Sequence, residues 1–109
     1  MTALQRTLSI NTGPAAVPVP IDINLPFEDG GSWRCTYSIG WPGGIRNGHA
    51  MGFDAVQALG IALNFIAIDL YASPYHKAGA LVWDEPGAGY GFPLPHGGRH
   101  LAIGADKTL

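Results

Sequence analysis

Three residues of this chain could carry acid, base or nucleophilic chemistry: His49, Asp54 and Cys35. A histidine close to a carboxylate can act as an acid/base pair, but a packed histidine beside a helix cap is the favoured interpretation. Cys35 lies between Trp33 and Tyr37 on the apolar side of a predicted strand. A buried structural thiol is favoured there, because no cation on that side would lower the pKa of the thiol. We therefore expect a non-enzymatic protein.

Two further motifs suggest metal or phosphate binding at first sight. His96 and His100 are four residues apart, as metal ligands on a helix would be, but the two glycines between them disfavour a helix. The Gly-rich run at 87–91 lacks the GxGxxG spacing and opens no predicted helix. Solvated histidines and a turn are the favoured interpretations. We expect no metal and no cofactor.

Large aromatic residues are more informative. Several stand at predicted strand ends or in loops, and one lies near the end of the long apolar segment; the candidates are Trp41, Tyr71, Tyr75, Trp83 and Tyr90. Rings at such positions are typical anchors of protein interfaces. They could equally close a small core against Gly-rich loops, and both interpretations stay open. We take the five as candidate interaction residues.

The segment at 53–73 is the one long apolar stretch, and its ends are marked as those of a helix. Asp54 is a good N-cap, and Gln57 stands where a capping box places its second partner. Ser73-Pro74 ends the helix, because proline lacks the N–H that would continue it. A membrane span of this length would place Asp69, Asn64 and Gln57 in hydrocarbon. We therefore expect a helix of a globular domain and no membrane contact.

This helix has two apolar faces when its residues are placed about 100° apart. The face expected on a sheet carries Val56, Leu59, Leu63, Ile66 and Leu70. The opposite face carries Ala58, Ile61, Phe65, Ile68 and Ala72. One sheet cannot cover both faces. We expect the segment after Pro74 or a second copy of the chain to bury the second face, so Ile61 and Phe65 join the candidate interaction residues.

Composition restricts the class of protein. With 13% charged residues, six Lys plus Arg and a formal net charge of −2, the chain shows no basic patch for nucleic acid. So little charge leaves an apolar surface, which favours an oligomer or a complex. The single cysteine cannot form an internal disulfide, and the first ten residues lack the layout of a secretion signal. We expect a cytoplasmic protein.

Alternating apolar residues predict strands before and after the helix. They fall at 4–10, 17–25, 33–41, 45–53, 80–84 and 90–94. Pro18 and Pro20 place the first half of the second strand at a sheet edge. The fold class expected is α+β, an antiparallel sheet of about five or six strands with one long central helix packed on one face. We expect a single domain, 1–109, with its core at about 4–95 and a tail, 96–109, that is either flexible or packed through 101–103 on the second face of the helix.

Three groups of residues carry a resemblance to a known family. They are Trp33-x-Cys35-x-Tyr37-x-Ile39-x-Trp41-Pro42, Gly52-x-Asp54-x-x-Gln57-Ala58-Leu59, and Tyr71-Ala72-Ser73-Pro74 with Gly89-Tyr90-Gly91-Phe92-Pro93. The chain resembles, over about 34–93, a family of small bacterial proteins recorded only as a domain of unknown function. The resemblance implies a bacterial source and no known activity. The order of elements is also similar to that of HicB-type antitoxins, although this helix lacks their charged outer face.

These observations lead to three hypotheses about function. The first is a protein-interaction domain, immunity- or antitoxin-like, that binds another protein or itself as a homodimer. The second is a small-molecule-binding domain with a pocket between sheet and helix. The third is a small hydrolase that uses His49 with Asp54 or Cys35.

Overall fold

The computed structural model describes residues 2–109 and has one antiparallel sheet with a long helix on one face, which confirms the α+β class. The six strands are β1 (Thr2–Ile10), β2 (Val17–Asn24), β3 (Phe27–Asp29), β4 (Ser32–Trp41), β5 (Gly44–Gly52) and β6 (Leu81–Val82). One edge of β4 pairs with β5 along its whole length, and the other edge pairs with β3 and then β2. The sheet continues from β2 through β1 to β6. The nine-residue β5 is therefore an edge strand.

The helix α1 (Ala55–Ala72) begins and ends where the sequence predicts. The Asp54 carboxylate accepts a hydrogen bond from the Gln57 amide at 2.8 Å, and the Gln57 side chain accepts one from the Phe53 amide at 2.6 Å. The pair resembles a capping box, except that Gln57 accepts from the residue before the N-cap and not from the N-cap amide itself. At the other end the Ser73 hydroxyl donates to the Leu70 carbonyl at 2.8 Å, and Pro74 follows.

The predicted sheet-facing stripe of α1 is only partly right. Ile66 and Leu70 are buried, but Val56 is 79% exposed, and the remaining buried positions are mostly small: Ala58, Ala62, Ala67 and Tyr71. A Cβ on Gly52 would lie 2.5 Å from the Ala58 nitrogen. The backbones of β5 and α1 approach so closely there that alanine, and not a large apolar side chain, faces the strand.

The second apolar face of α1 stays largely open within the chain. Phe65 is 40% exposed and Ile68 is 42% exposed, while Ile61 is partly buried. The segment after Pro74 therefore covers this face only in part, near Ile68 and Ala72, and cover of the rest by a second copy stays a prediction. By length and mean hydropathy alone α1 could also cross a bilayer, a property that the core helix of a globular domain can share.

The strands bury one face, as the alternation predicts. Cys35, Tyr37 and Ile39 of β4 are buried under α1, with Val19, Ile21 and Ile23 of β2. β4 pairs with β2 only at Ile21–Ile23, so Pro18 and Pro20 lie where β2 has a partner on the β1 side alone. On β5 the small residues Gly48, Ala50 and Gly52 pair with the buried set of β4.

The segment after α1 departs most from the prediction. A short helix α2 (Pro74–Lys77) precedes β6, which pairs with β1 at Ser9 and Ile10. The last predicted strand, 90–94, forms no ladder, because Pro93 and Pro95 have no N–H to donate. The predicted alternation of buried and outward residues is nevertheless observed in this segment, because Tyr90, Phe92 and Leu94 are buried. The tail 96–109 forms two 3₁₀ helices, His96–Leu101 and Gly104–Thr108, and buries Ala102 and Asp106.

Candidate functional site

The free edge of β5 and the adjacent flank of α1 form one continuous surface, which we call the β5 rim. Within residues 2–109, β5 pairs with β4 alone, so its outer edge has no strand partner. The register with β4 runs through nine consecutive pairs without a bulge. No proline or lysine stands on this strand. Of the common devices that protect an edge strand from pairing, proline, lysine and a bulge are absent from β5, and its one charged side chain, Arg46, is paired with Asp69.

Side chains on β5 divide by face. Ile45, Asn47, His49 and Met51 lie on the face opposite α1, where Ile45 is 70% and Met51 is 37% exposed. Arg46, Gly48, Ala50 and Gly52 lie on the helix side. Gly48 is required there, because a Cβ at this position would come within 2.4 Å of the Tyr37 ring.

A groove of about 420 Å³ runs between β5 and α1 and belongs to the β5 rim. The helix contributes Phe65, Ile68 and Asp69, and the strand contributes Arg46 to His49, with Tyr37 below them. Arg46 Nε donates to Asp69 Oδ2 at 2.9 Å, and the Tyr37 hydroxyl lies 3.5 Å from the same oxygen. The only charged carboxylate of the groove is thus paired to a cation of the same chain.

The phenol and the ion pair of this groove are not reactive groups. Burial, reinforced by the nearby Asp69 charge, raises the pKa of Tyr37 and keeps its hydroxyl protonated. The hydrogen bond to Asp69 raises the pKa of Arg46, which stays cationic. A neutral phenol and a closed ion pair supply neither a free base nor a nucleophile.

The three residues with candidate chemistry do not meet. Asp54 caps α1, whereas His49 lies on the exposed face of the sheet opposite Thr36, and no hydrogen bond joins the two among the described residues. Cys35 is buried and its thiol donates to the Asn24 carbonyl at 3.6 Å. Burial raises the pKa of the Cys35 thiol, which disfavours the reactive thiolate.

The candidate aromatic residues fall into two environments. Tyr71 and Tyr90 are buried and their rings meet edge to face at 5.2 Å. Trp41 and Tyr75 are partly buried and stack on each other at 5.3 Å. Trp83 is also partly buried and lies 4.0 Å from the Arg6 guanidinium. Within one chain these five rings make intramolecular contacts, whereas Phe65 and, less so, Ile61 line the open flank of α1.

A buried polar network that the sequence does not reveal holds the tail to α1. Asp106 Oδ2 accepts from the Tyr71 hydroxyl at 2.6 Å and from the Tyr90 amide at 2.8 Å, and Oδ1 accepts from the Gly91 amide at 2.8 Å. Burial raises the pKa of Tyr90 to about 12, and it raises the pKa of Tyr71 further, with help from the bond to Asp106. Asp106 and Tyr71 are 35 residues apart, so no local pattern could have indicated their contact.

His76, the other missed residue, extends this network toward the surface. Its Nδ1 lies 2.5 Å from the Tyr90 hydroxyl, and its ring is 4.6 Å from that of Tyr71. Burial lowers the pKa of His76, so its imidazole is neutral at pH 7. A histidine in the turn after Ser73-Pro74 gave no sequence signal of this role.

Comparison with known proteins adds a family but no activity. The comparison with curated proteins and the comparison with solved structures each gave no significant match. A family model described as a domain of unknown function, DUF6968, matches residues 4–94. This range includes all six strands but for the first residues of β1, both α helices and the buried 90–94 segment. The chain therefore belongs to the DUF6968 family of domains of unknown function.

Proposed function

We propose that this chain is a protein-interaction domain that forms a symmetric homodimer through the β5 rim. The observation that carries the proposal is a nine-residue edge strand with no strand partner, beside an exposed apolar flank of α1. A second copy paired antiparallel to β5 would continue the sheet and would place the two α1 helices side by side. Strand addition at a free edge is a common mode of protein recognition.

The sequence of β5 is suited to pairing with itself. Around Gly48 the residues GIRNGHAMG are nearly palindromic in type. A two-fold axis at Gly48 would pair Ile45 with Met51 of the second copy, and Asn47 with His49. On the face away from α1, apolar side chains would then lie opposite apolar ones and polar opposite polar, which is how cross-strand pairs stabilise a sheet.

Charge on the rim is compatible with this arrangement. In the same register Arg46 would lie opposite Ala50 of the second copy, so the two arginines would stand roughly 13 Å apart along the strands. That separation exceeds the screening length of about 8 Å at physiological salt. Each arginine is also neutralised by Asp69 of its own chain.

The exposed flank of α1 would supply the apolar part of the interface. Phe65 and Ile68 line the groove beside Asn47, Gly48 and His49, and therefore lie near the proposed axis. Removing the remaining exposed surface of each such side chain from water is worth about 1 kcal/mol. With four apolar side chains per copy, counting Ile45 and Met51, this gain is of the order of the cost of association. The net affinity for a micromolar dimer would then come from the backbone hydrogen bonds of the added strand pair, at about 1 kcal/mol each.

The other long open edge of the sheet is less suited. β1 pairs with β6 only at Ser9 and Ile10, but its register with β2 shifts between Thr2 and Leu4. Leu4 is the only large apolar side chain exposed on the described part of that strand. No exposed apolar helix flank lies next to it. We therefore assign the interface to β5.

Molar mass in solution tests this proposal. At about 100 µM, a concentration well above a micromolar Kd, we expect light scattering to give twice the 11.5 kDa of one chain. Phe65→Lys should give a single-chain mass, because the substitution places two ammonium groups near the axis. Val56→Lys is the matched control on the opposite flank of α1 and should remain dimeric. A wild-type chain of 11.5 kDa, or equal loss of mass in both variants, would contradict the proposal.

An immunity- or antitoxin-like role, in which such a dimer binds a second protein, stays a prediction. Its test is independent of the dimer: co-purification of the product of an adjacent gene with the tagged chain supports it, and the lack of any stable complex with that product opposes it. On the proposal made here, the groove that a pocket between sheet and helix would use is filled by the second copy.

A further inference from the structure

A second concave surface lies on the far side of α1 from the sheet, where the end of α1, α2 and the tail meet. We call it the α1–α2 cleft, and its volume is about 470 Å³. Its lining is mostly apolar and consists of Ile68, Tyr71, Ala72, His76, Lys77, Leu94, Gly98 and Leu101. The volume is within the range of about 300–1,000 Å³ that is usual for small-molecule sites.

The polar groups of this cleft are hydrogen-bond donors. The buried Tyr90 hydroxyl needs an acceptor for its proton, and His76 Nδ1, 2.5 Å away, is the only partner it has among residues 2–109. Nδ1 is therefore the accepting nitrogen, and the ring proton stands on Nε2. The Tyr71 hydroxyl already donates to Asp106 and accepts from the Ile103 amide, so it offers nothing further.

Charge in the cleft favours an anion. Lys77 lines it, and the two ion pairs of the described chain, Arg34–Asp29 and Arg46–Asp69, leave Lys77 without a carboxylate partner. Among residues 2–109, no Asp or Glu lines the cleft. The C-terminal end of α1 carries the negative end of the helix dipole, which repels an anion. The Ser73 hydroxyl and amide both donate to the Leu70 carbonyl there and reduce this repulsion.

We propose that the α1–α2 cleft binds a small monocarboxylate with an aromatic or branched aliphatic body. The carboxylate would accept hydrogen bonds from Lys77 Nζ and His76 Nε2. The apolar body would lie against Ile68, Leu94 and Leu101. This proposal does not depend on the dimer, because of its lining residues only Ile68 also belongs to the β5 rim.

The probe that tests it is 3-phenylpropanoate, followed by amide chemical shifts in solution and compared with its uncharged amide. We expect shifts at Lys77, Leu94 and Leu101 with a Kd of about 1 mM or tighter, and binding of the amide about tenfold weaker. Lys77→Gln should remove the preference for the acid. Lys107→Gln, the matched loss of a cation outside the cleft, should leave it intact.

A cleft-filling variant gives an independent reading. Leu101→Trp should abolish shifts from the probe, provided its spectrum keeps the dispersion of the wild-type spectrum. If Leu101→Trp unfolds, the proposal is tested by Lys77→Gln alone, through its ratio of acid binding to amide binding. No shift with either probe, equal binding of acid and amide, or an unchanged preference in Lys77→Gln would overturn the proposal.

Discussion

Asp106 is the residue on which the arrangement of the C-terminal part depends. Its carboxylate is 4% exposed and accepts three hydrogen bonds, from one side chain of α1 and two amides of the 90–91 segment. A buried carboxylate is stable only with such donors. Because these bonds join α1, the 90–94 segment and the tail, Asp106 holds one wall of the α1–α2 cleft in place.

We predict that Asp106→Ala lowers the free energy of unfolding by about 3–5 kcal/mol, because three buried donors lose their acceptor. Glu28→Gln, on the exposed strand β3, should change it by less than about 0.5 kcal/mol. Urea denaturation followed by circular dichroism measures both. If Asp106→Ala lowers the free energy of unfolding no more than Glu28→Gln does, the hydrogen bonds of Asp106 do not stabilise the fold.

Side-chain hydrogen bonds could be predicted from the sequence only where the two partners are close in the chain. The cap formed by Asp54 and Gln57 spans three residues, and a local pattern revealed it. Arg6, by contrast, donates to the carbonyls of Tyr90 and Gly91, 84 and 85 residues away. Contacts at that separation arise from the fold and leave no periodicity in the sequence.

At the scale of elements, the close approach of α1 to β5 decides which face of the helix is buried. Glycine at 52 and alanine at 58 and 62 allow the helix to pack closely on the strand. The prediction took the largest apolar residues of α1 as its sheet-facing side and was therefore wrong for Val56, which is exposed. The helix ends and the alternation of β2 and β4 were correctly predicted, because caps and a period of two are local signals.

We predict opposite effects on stability for a substitution of Gly52, at this contact, and one of Gly60, away from it. Gly52→Ala should destabilise the fold by about 1–3 kcal/mol, because its Cβ would meet the Ala58 backbone and force strand and helix apart. Gly60→Ala, within α1, meets nothing within 4 Å and should stabilise by about 0.5–1 kcal/mol through helix propensity. Thermal or urea unfolding compares the two. A change in the free energy of unfolding of the same sign for both variants would contradict the close packing of α1 on β5.

At the scale of the whole molecule, one sheet face is covered by α1, and of the two long open edges only that of β5 lies beside an exposed apolar helix flank. The strands β3 and β6 are short, whereas β5 presents nine residues with exposed Ile45 and Met51. The low charge of the chain predicts a hidden surface, but it could not indicate which one. Only the pairing order of the sheet places Phe65 and the free edge of β5 side by side.

The register of the proposed dimer is the most direct test of its symmetry axis at Gly48. A chain carrying Asn47→Cys is mixed with a chain carrying His49→Cys under mild oxidation, since the proposed pairing brings these positions within disulfide distance. We expect a covalent dimer in the mixture that forms faster than in either variant alone. The result that would contradict the β5 interface is a yield no greater than that of Asn47→Cys mixed with Thr7→Cys, whose cysteine lies on β1.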